Sequence, residues 1–448
     1  MKPPSKALER FALKAHHYGR ISGVSLAAHA IPDAFLLLHT GVGCKYKAAA
    51  QISIHDWAAQ PHRREGWTEV GDGALIRGAA ARIGPYLRSW YDRQRPGLLL
   101  VCSSSFLEMT GEDVAAATRE AAASIPCPVA YIPGFGFTGD LYEGYGEVIR
   151  AVLELVDWSV PAQPGSVSLV GYLHDRHEAD HQANIHQLRG LLAELGLTLD
   201  SVLLGGQPLS RLRAASRSGL LVALPLAHRM VEALEATGRE VVSTGLPQGV
   251  RGTSLWLEEV GRAAGVDGKK IAQVTSRLAG YAEKGLEALR GRTLGMRSAL
   301  FAETPAAVGW GGLLEELGLP PRLVGLRDRS FGGAEALREG LGRQGAPLRE
   351  DAEVLEDPSF WLVGSRLARL LETGALRVVV GSAGEAALAR SLAMQRQGSQ
   401  REHGAVSVIT GFPSTGYHVI HPAATLGYGG AIAQGQRLLD ALFGGSLG

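Results

Sequence analysis

Hydrophobic positions along the chain fall into two kinds of run. Short, nearly unbroken apolar stretches recur at 34–38, 98–102, 129–132, 166–172, 201–204, 219–224, 240–244, 298–302, 322–326, 377–381 and 406–410. Runs this short, set off by turn-forming residues, read as strands. Between them apolar residues spread to helical spacing, for example over 113–124, 145–155, 184–195 and 384–395. Strands alternating with helices over short connections predict parallel sheets covered by helices. The runs 98–102 and 377–381 are almost wholly apolar, as befits strands buried on both faces. Pro161-Ala162-Gln163-Pro164-Gly165 interrupts the pattern as a linker, and Gly291-Arg292-Thr293-Leu294-Gly295 interrupts it again. The expectation is an α/β chain of three Rossmann-like domains with doubly wound, mostly parallel sheets, divided as 1–160, 161–295 and 296–448. Doubly wound sheets bind ligands beyond the carboxyl ends of their strands, so chemistry is expected just after strands.

Composition narrows the class. Of 448 residues, 46% are hydrophobic and 20% charged, as in soluble globular proteins. The 45 basic and 44 acidic residues leave a net charge of +1, so neither nucleic acid nor an anionic membrane is an expected partner. Three cysteines cannot make a disulfide framework and fit a reducing cytoplasm. Met1-Lys2-Pro3-Pro4-Ser5-Lys6 leads into a mixed-charge segment without the apolar core of a signal peptide. No run approaches the roughly 20 apolar residues of a membrane span. The 59 glycines beside only 6% aromatics suit a loop-rich protein whose backbone approaches ligands closely.

Candidate chemistry sits where the pattern places it. His39-Thr40-Gly41-Val42-Gly43-Cys44 closes the first strand with a glycine-flanked thiol. Cys44 is either a small buried residue or a metal-ligating thiolate, and residue chemistry leaves both open. Cys102 ends an apolar strand and Cys127 sits between prolines; both read as structural. No cysteine pair has the close spacing of a self-contained metal site. Ser103-Ser104-Ser105 follows a buried strand and leads to Glu108 and Thr110-Gly111-Glu112-Asp113, a helix start for which Thr110 is the expected cap. Gly134-Phe135-Gly136-Phe137-Thr138-Gly139 is an incomplete dinucleotide fingerprint, and Gly381-Ser382-Ala383-Gly384 resembles an ordinary strand-to-helix turn that can hold an anion. No phosphate loop occurs, so no nucleotide is expected on this chain. His16, His17, His29, His39, His55 and His62 enrich the N-terminal region, and His418 and His421 lie in a glycine- and proline-rich loop; each is open to structural or site roles. Neither a nucleophile elbow nor a paired-histidine zinc motif is present, and no residue is assigned a catalytic role.

Several of these stretches, in order, resemble the nitrogenase component 1 superfamily. The Cys44 turn is similar to its His-Gly-x-x-Gly-Cys motif, and 105–113 to its Cys-x-x-Glu-x-Ile-Gly-Asp-Asp motif. Gly136–Gly139 with Gly144-Tyr145, Gly245–Gly249 with Thr253 and Trp256-Leu257, and Gly411–Pro413 with His418, His421 and Gly427–Ala431 resemble its later motifs, the last of β type. The resemblance implies an oxidoreductase subunit: a β-type chain of an ATP-dependent nitrogenase-like reductase. It implies that Cys44 is the metal ligand, with Gly41, Gly43 and Ser105 as cofactor-binding positions, for a [4Fe-4S] iron–sulfur cluster shared with a cysteine-rich α-type partner. That partnership would be a heterodimer or heterotetramer, served in electron transfer by a separate ATP-hydrolysing iron protein. Where full-set relatives carry further cysteines, this chain has Gly19 and Ser105. One thiolate cannot hold a cluster that uses about four, so the remainder is expected on the partner, with Cys102 or Ser105 as possible near neighbours. Two other readings stay open: a non-catalytic scaffold for cofactor assembly, and a cluster-free α/β binding subunit.

Overall fold

The computed structural model describes residues 18–41, 43, 64–71, 73–74, 78–134, 139–174, 180–328, 330–394, 405–411 and 423–444. Helix α1 (Arg20–His29) turns directly into β1 (Ala34–His39), whose six residues are all buried. There follow β2 (Glu65–Trp67), α2 (Ile83–Gln94), β3 (Leu98–Ser103), α3 (Val114–Ala122), β4 (Val129–Ile132) and α4 (Leu141–Glu154). The strands pair in parallel in the order β2-β1-β3-β4. Phe35, Leu37, Leu99 and Val101 pack on one face against Ile83 and Leu87 of α2 and Val114 and Ala121 of α3. Helices α1 and α4 cross at glycines. A Cβ on Gly23 would lie 1.8 Å from the Leu141 oxygen, and one on Gly144 2.0 Å from that of Arg20. The Gly144-Tyr145 pair of the sequence motif is thereby explained by backbone approach, with Tyr145 fully buried behind it.

The middle sheet contains β5 (Gln163–Val170), then, after α5 (His181–Glu194), β6 (Thr198–Val202), β7 (Ser218–Ala223) and β8 (Glu240–Ser243), in the order β6-β5-β7-β8. The apolar run at 201–204 predicted this sheet's second strand too far along the chain. The strand starts at Thr198 and Leu204 has already turned to φ 56. The alternating residues make the strand, and the apolar run that follows covers its end.

Helices α6 (Gly249–Ala263) and α7 (Gly268–Thr293) precede the third sheet. This comprises β9 (Ser298–Ala302), α8 (Thr304–Glu316), β10 (Pro321–Leu326), α9 (Gly333–Arg343), β11 (Glu353–Glu356), α10 (Phe360–Glu372), β12 (Val378–Gly381), α11 (Ala383–Met394) and β13 (Val406–Ile409), followed by α12 (Gly427–Phe443). Its order is β11-β10-β9-β12-β13, also parallel. The hydrophobic pattern missed β2 and β11. Both are short edge strands bearing charged residues, the form in which sheet edges are protected.

Three parallel sheets therefore confirm the expected α/β, doubly wound architecture. The chain forms two compact units: Tyr18–His177 with Thr198–Val241, and Glu178–Leu197 with Val242–Gly448. In the second unit two of the family-like motifs prove to be packing devices. The Glu316 carboxylate accepts from Val250 N (3.0 Å) and Arg251 N (2.8 Å), capping the first turn of α6. Burial pushes that carboxyl above its ordinary pKa, against the pull of those backbone donors. At the start of α12, Tyr428 OH lies 2.8 Å from Ser254 Oγ of α6, and a Cβ on Gly429 would lie 2.7 Å from Gln187 Oε1 of α5. Among the described residues no helix is long and apolar enough to cross a membrane.

Because the added methyl of Gly23→Ala would meet backbone rather than a movable side chain, it is expected to destabilise the protein by about 3 kcal/mol. A urea unfolding midpoint indistinguishable from wild type would contradict the α1–α4 contact.

Candidate functional site

In the first sheet the chain passes from β1 outward to β2 and returns beyond β1 to β3. The strand order thus reverses between β1 and β3, the position at which open α/β sheets bind ligands. In register, Leu38 lies beside Cys102 and His39 beside Ser103. The pairing continues past the strands: Ser104 N donates to His39 O (3.0 Å) and Val70 N to Thr40 O (3.0 Å). Ser105–Glu108 forms a single helical turn on the β3 side.

Glu108 fastens that turn. Its Oε1 accepts from Ser103 Oγ (2.6 Å) and Gly134 N (3.2 Å), and Ser103 Oγ is 2.9 Å from Tyr131 OH. The ends of β3 and β4 are so drawn together that a Cβ on Gly134 would sit 1.7 Å from Ser103 O. Only glycine permits this approach. Burial, and the negative charge of Glu108, hold the Tyr131 hydroxyl above its usual pKa, with its bond to Ser103 pulling the other way. Glu112 fastens a second loop, accepting from Ala79 N (2.6 Å) and Ala80 N (2.5 Å). The cap of α3 differs from expectation. Asp113 accepts from Ala116 N (2.8 Å), while Thr110 Oγ1 donates back to Leu107 O (2.6 Å). Gly111 at φ 75 turns the chain between them and moves the helix start beyond Thr110.

The residues singled out from sequence divide three ways. Gly41 is half-buried and bridges to Val70, Gly43 is exposed, and Ser105 is half-buried at the start of its turn. Cys44 lies outside the described residues, as do His16, His17, His55, His62, His418, His421 and Gly136. Cys102 is fully buried. Its Sγ lies 3.6 Å from Ser103 O, and burial, reinforced by Glu108, pushes its thiol far above the ordinary range. Cys102 is thus a protonated core thiol, and Cys127 is a half-buried one whose pKa burial also raises. His29 is accounted for structurally: its Nε2 lies 3.1 Å from Glu65 Oε1. At the anion-competent turn after β12, the chain supplies its own anion, because Glu385 accepts from Ser382 N (2.9 Å) and lies 3.4 Å from Arg327.

Two further features were not read from sequence. First, Cβ atoms built on Gly19 and Gly43 meet nothing within 4 Å among the described residues. Second, His39 is 0% exposed and Ser104 1%, yet neither imidazole nitrogen nor the Ser104 hydroxyl has a hydrogen-bond partner among the described residues. Burial lowers the His39 pKa to about 4; Arg82 adds to the shift and Glu112 opposes it. The sequence signal for His39 was present, an imidazole closing an apolar strand. That it would be unpaired was not visible.

Three doubly wound parallel sheets define an α/β protein whose first sheet reverses its strand order between β1 and β3. The chain belongs to the nitrogenase component 1 type oxidoreductase family, whose model matches residues 20–443. It is 23% identical over 451 residues to the nitrogenase molybdenum-iron protein beta chain of Frankia alni, covering 94% of this chain and 80% of that one. It is 24% identical over 313 residues to the light-independent protochlorophyllide reductase subunit N of Rhodospirillum rubrum, covering 68% of each. The fold matches the solved structure of nitrogenase Cp1 at pH 6.5 with a TM-score of 0.79 at 15% identity, covering 100% of this chain and 96% of that one. The chain is accordingly a nitrogenase-like component 1 subunit.

Replacing Glu108 with Ala removes the acceptor of both Ser103 Oγ and Gly134 N and is expected to cost about 2 kcal/mol, read as a lowered urea midpoint. His39 generates a pH dependence. Unfolded, it takes up a proton near the ordinary imidazole value of 6.5, and folded only near 4. The unfolded state therefore binds more protons between those values, and stability falls as pH drops through that window, by up to roughly 3 kcal/mol. His39→Gln should flatten this part of the stability–pH curve, with Glu112 and Arg82 left in place.

Proposed function

We propose that the chain is the β-type subunit of an ATP-dependent nitrogenase-like reductase of the cytoplasm. In this reading Cys44 gives one thiolate to a [4Fe-4S] cluster completed by cysteines of a homologous, cysteine-rich α-type subunit, in a heterodimer or α2β2 heterotetramer. A separate iron–sulfur protein hydrolyses ATP and delivers electrons, which accords with the lack of a phosphate loop in this sequence. Family membership supports the subunit class. The observation that carries the site is the pair of buried polar groups, His39 and Ser104, that find no hydrogen-bond partner among the described residues at the reversal of the first sheet.

The residues fit such a group in part, and the way they fall short is informative. Buried polar groups without a partner among the described residues accord with an occupant beyond the strand ends, but Cys102 is a buried neutral thiol and Ser105 offers only a hydroxyl. This chain can therefore supply a single soft ligand, Cys44, and the remaining ligands come from the partner. When bound, the cluster supplies one-electron chemistry. The chain's own part is to hold the strand ends rigid: Glu108 locks the β3 turn to the segment after β4, and Glu112 locks the loop before α2 to the start of α3. Rigid surroundings of this kind limit reorganisation around a redox group and help set its potential.

Co-expression with the α-type partner and anaerobic purification test this directly. Cys44→Ala is expected to remove the iron and visible absorption of the shared cluster; undiminished iron would sink the assignment. Substrate reduction by the wild-type complex with its reductase and ATP separates a reductase subunit from an assembly scaffold, which would carry a cluster without turnover.

A further inference from the structure

Glu65 opens β2, a three-residue strand at the edge of the first sheet, and it is only 2% exposed. A glutamate is buried to this degree only when it is paired. Its partners come from α1. Glu65 Oε1 accepts from Ser25 Oγ and lies 3.1 Å from His29 Nε2, and both of those residues are buried. Arg64 engages the other ring nitrogen. Its Nη2 lies 3.1 Å from His29 Nδ1 and 3.3 Å from His29 O, and its Nη1 donates to Ile31 O (2.9 Å). A guanidinium can only donate, so Nδ1 accepts and Nε2 carries the proton given to Glu65. The imidazole is a directed link from Arg64 to Glu65, in the tautomer that those two neighbours impose.

The ladder alone holds β2 weakly. Three residues pair, with Leu36, Leu37 and Leu38, and the middle one, Gly66, has no side chain to bury. Beyond the strand, Thr68 N donates to Leu38 O (3.2 Å), Thr68 Oγ1 accepts from Thr40 N (3.1 Å), Val70 N donates to Thr40 O (3.0 Å), and Arg82 Nη1 donates to Thr68 O (3.1 Å). Between them Glu69 holds φ 49, a left-handed conformation disfavoured outside glycine. We propose that the Arg64–His29–Glu65 array is a latch. It closes β2 onto α1, and breaking it lets β2 and Thr68–Val70 peel from Thr40 and Gly41 while β1, β3 and β4 stay paired. A short edge ladder opens at lower free energy than core strands, so the two can separate. The array acts as a unit, because removing one member leaves a polar group of another unpaired, which costs more than the bond itself. The latch thereby governs the order of the segment that flanks Gly41 at the end of β1.

The test is hydrogen exchange, read by mass spectrometry on the full chain as wild type, Arg64→Met and His29→Leu. Peptides over 64–71 are compared with peptides over 98–103. Both variants are expected to speed exchange over 64–71 by about tenfold or more, the effect of losing one hydrogen bond, while 98–103 keeps its wild-type protection. Unchanged exchange over 64–71 overturns the latch. An equal rise over both peptides also overturns it, because the array would then support the whole sheet. If His29→Leu does not fold, Arg64→Met, which alters a half-buried residue, decides by the same two rates. Loss of the fold in both variants marks a core role and overturns the proposal.

Discussion

The parallel pairing of β1 with β3 is the constraint on which the rest of the first sheet depends. Leu36, Leu37 and Leu38 lie against Leu100, Val101 and Cys102 with no exposed residue in either strand. Strands buried on both faces have no polar side from which to slip register, so the ladder fixes His39 beside Ser103. Since the chain reaches β3 by way of β2, on the far side of β1, the strand order reverses at this point. The position of the candidate site follows from topology, and the side chains only furnish it.

What furnishes it falls into two groups. Glu108 and Glu112 are satisfied carboxylates that tie loops to one another through backbone N–H groups, and they stiffen those loops. His39 and Ser104 are buried and find no hydrogen-bond partner among the described residues. Other carboxylates are paired as Glu108 and Glu112 are: Glu316 and Asp113 each face the backbone donors of a helix start, and Glu385 faces both Ser382 and Arg327.

The family-like motifs are a mixture of packing and chemistry that sequence alone does not separate. Gly144 exists for the crossing of α1 and α4, and Gly429 for the close seating of α12 on α5. Gly19 and Gly43 serve no such contact among the described residues. A glycine written in the sequence gives no sign of which kind it is, because the atom that would collide belongs to a segment far away in the chain.

The sequence by itself determined the α/β class, the parallel sheets, the strands buried on both faces and the family, because hydrophobic period and ordered motifs are local properties. It also marked the turns after β1 and β3 as the places for chemistry. It misplaced β6 and the cap of α3, and it passed over β2 and β11. A buried loop can be as apolar as a strand, a glycine turn can displace a helix start, and an edge strand needs little apolar surface. Tertiary structure alone decided that Cys102 is a neutral core thiol, that Glu108 is a strut and that His39 is buried with no partner among the described residues. Each of those properties is set by burial and by groups brought from distant parts of the chain, and no local pattern records them.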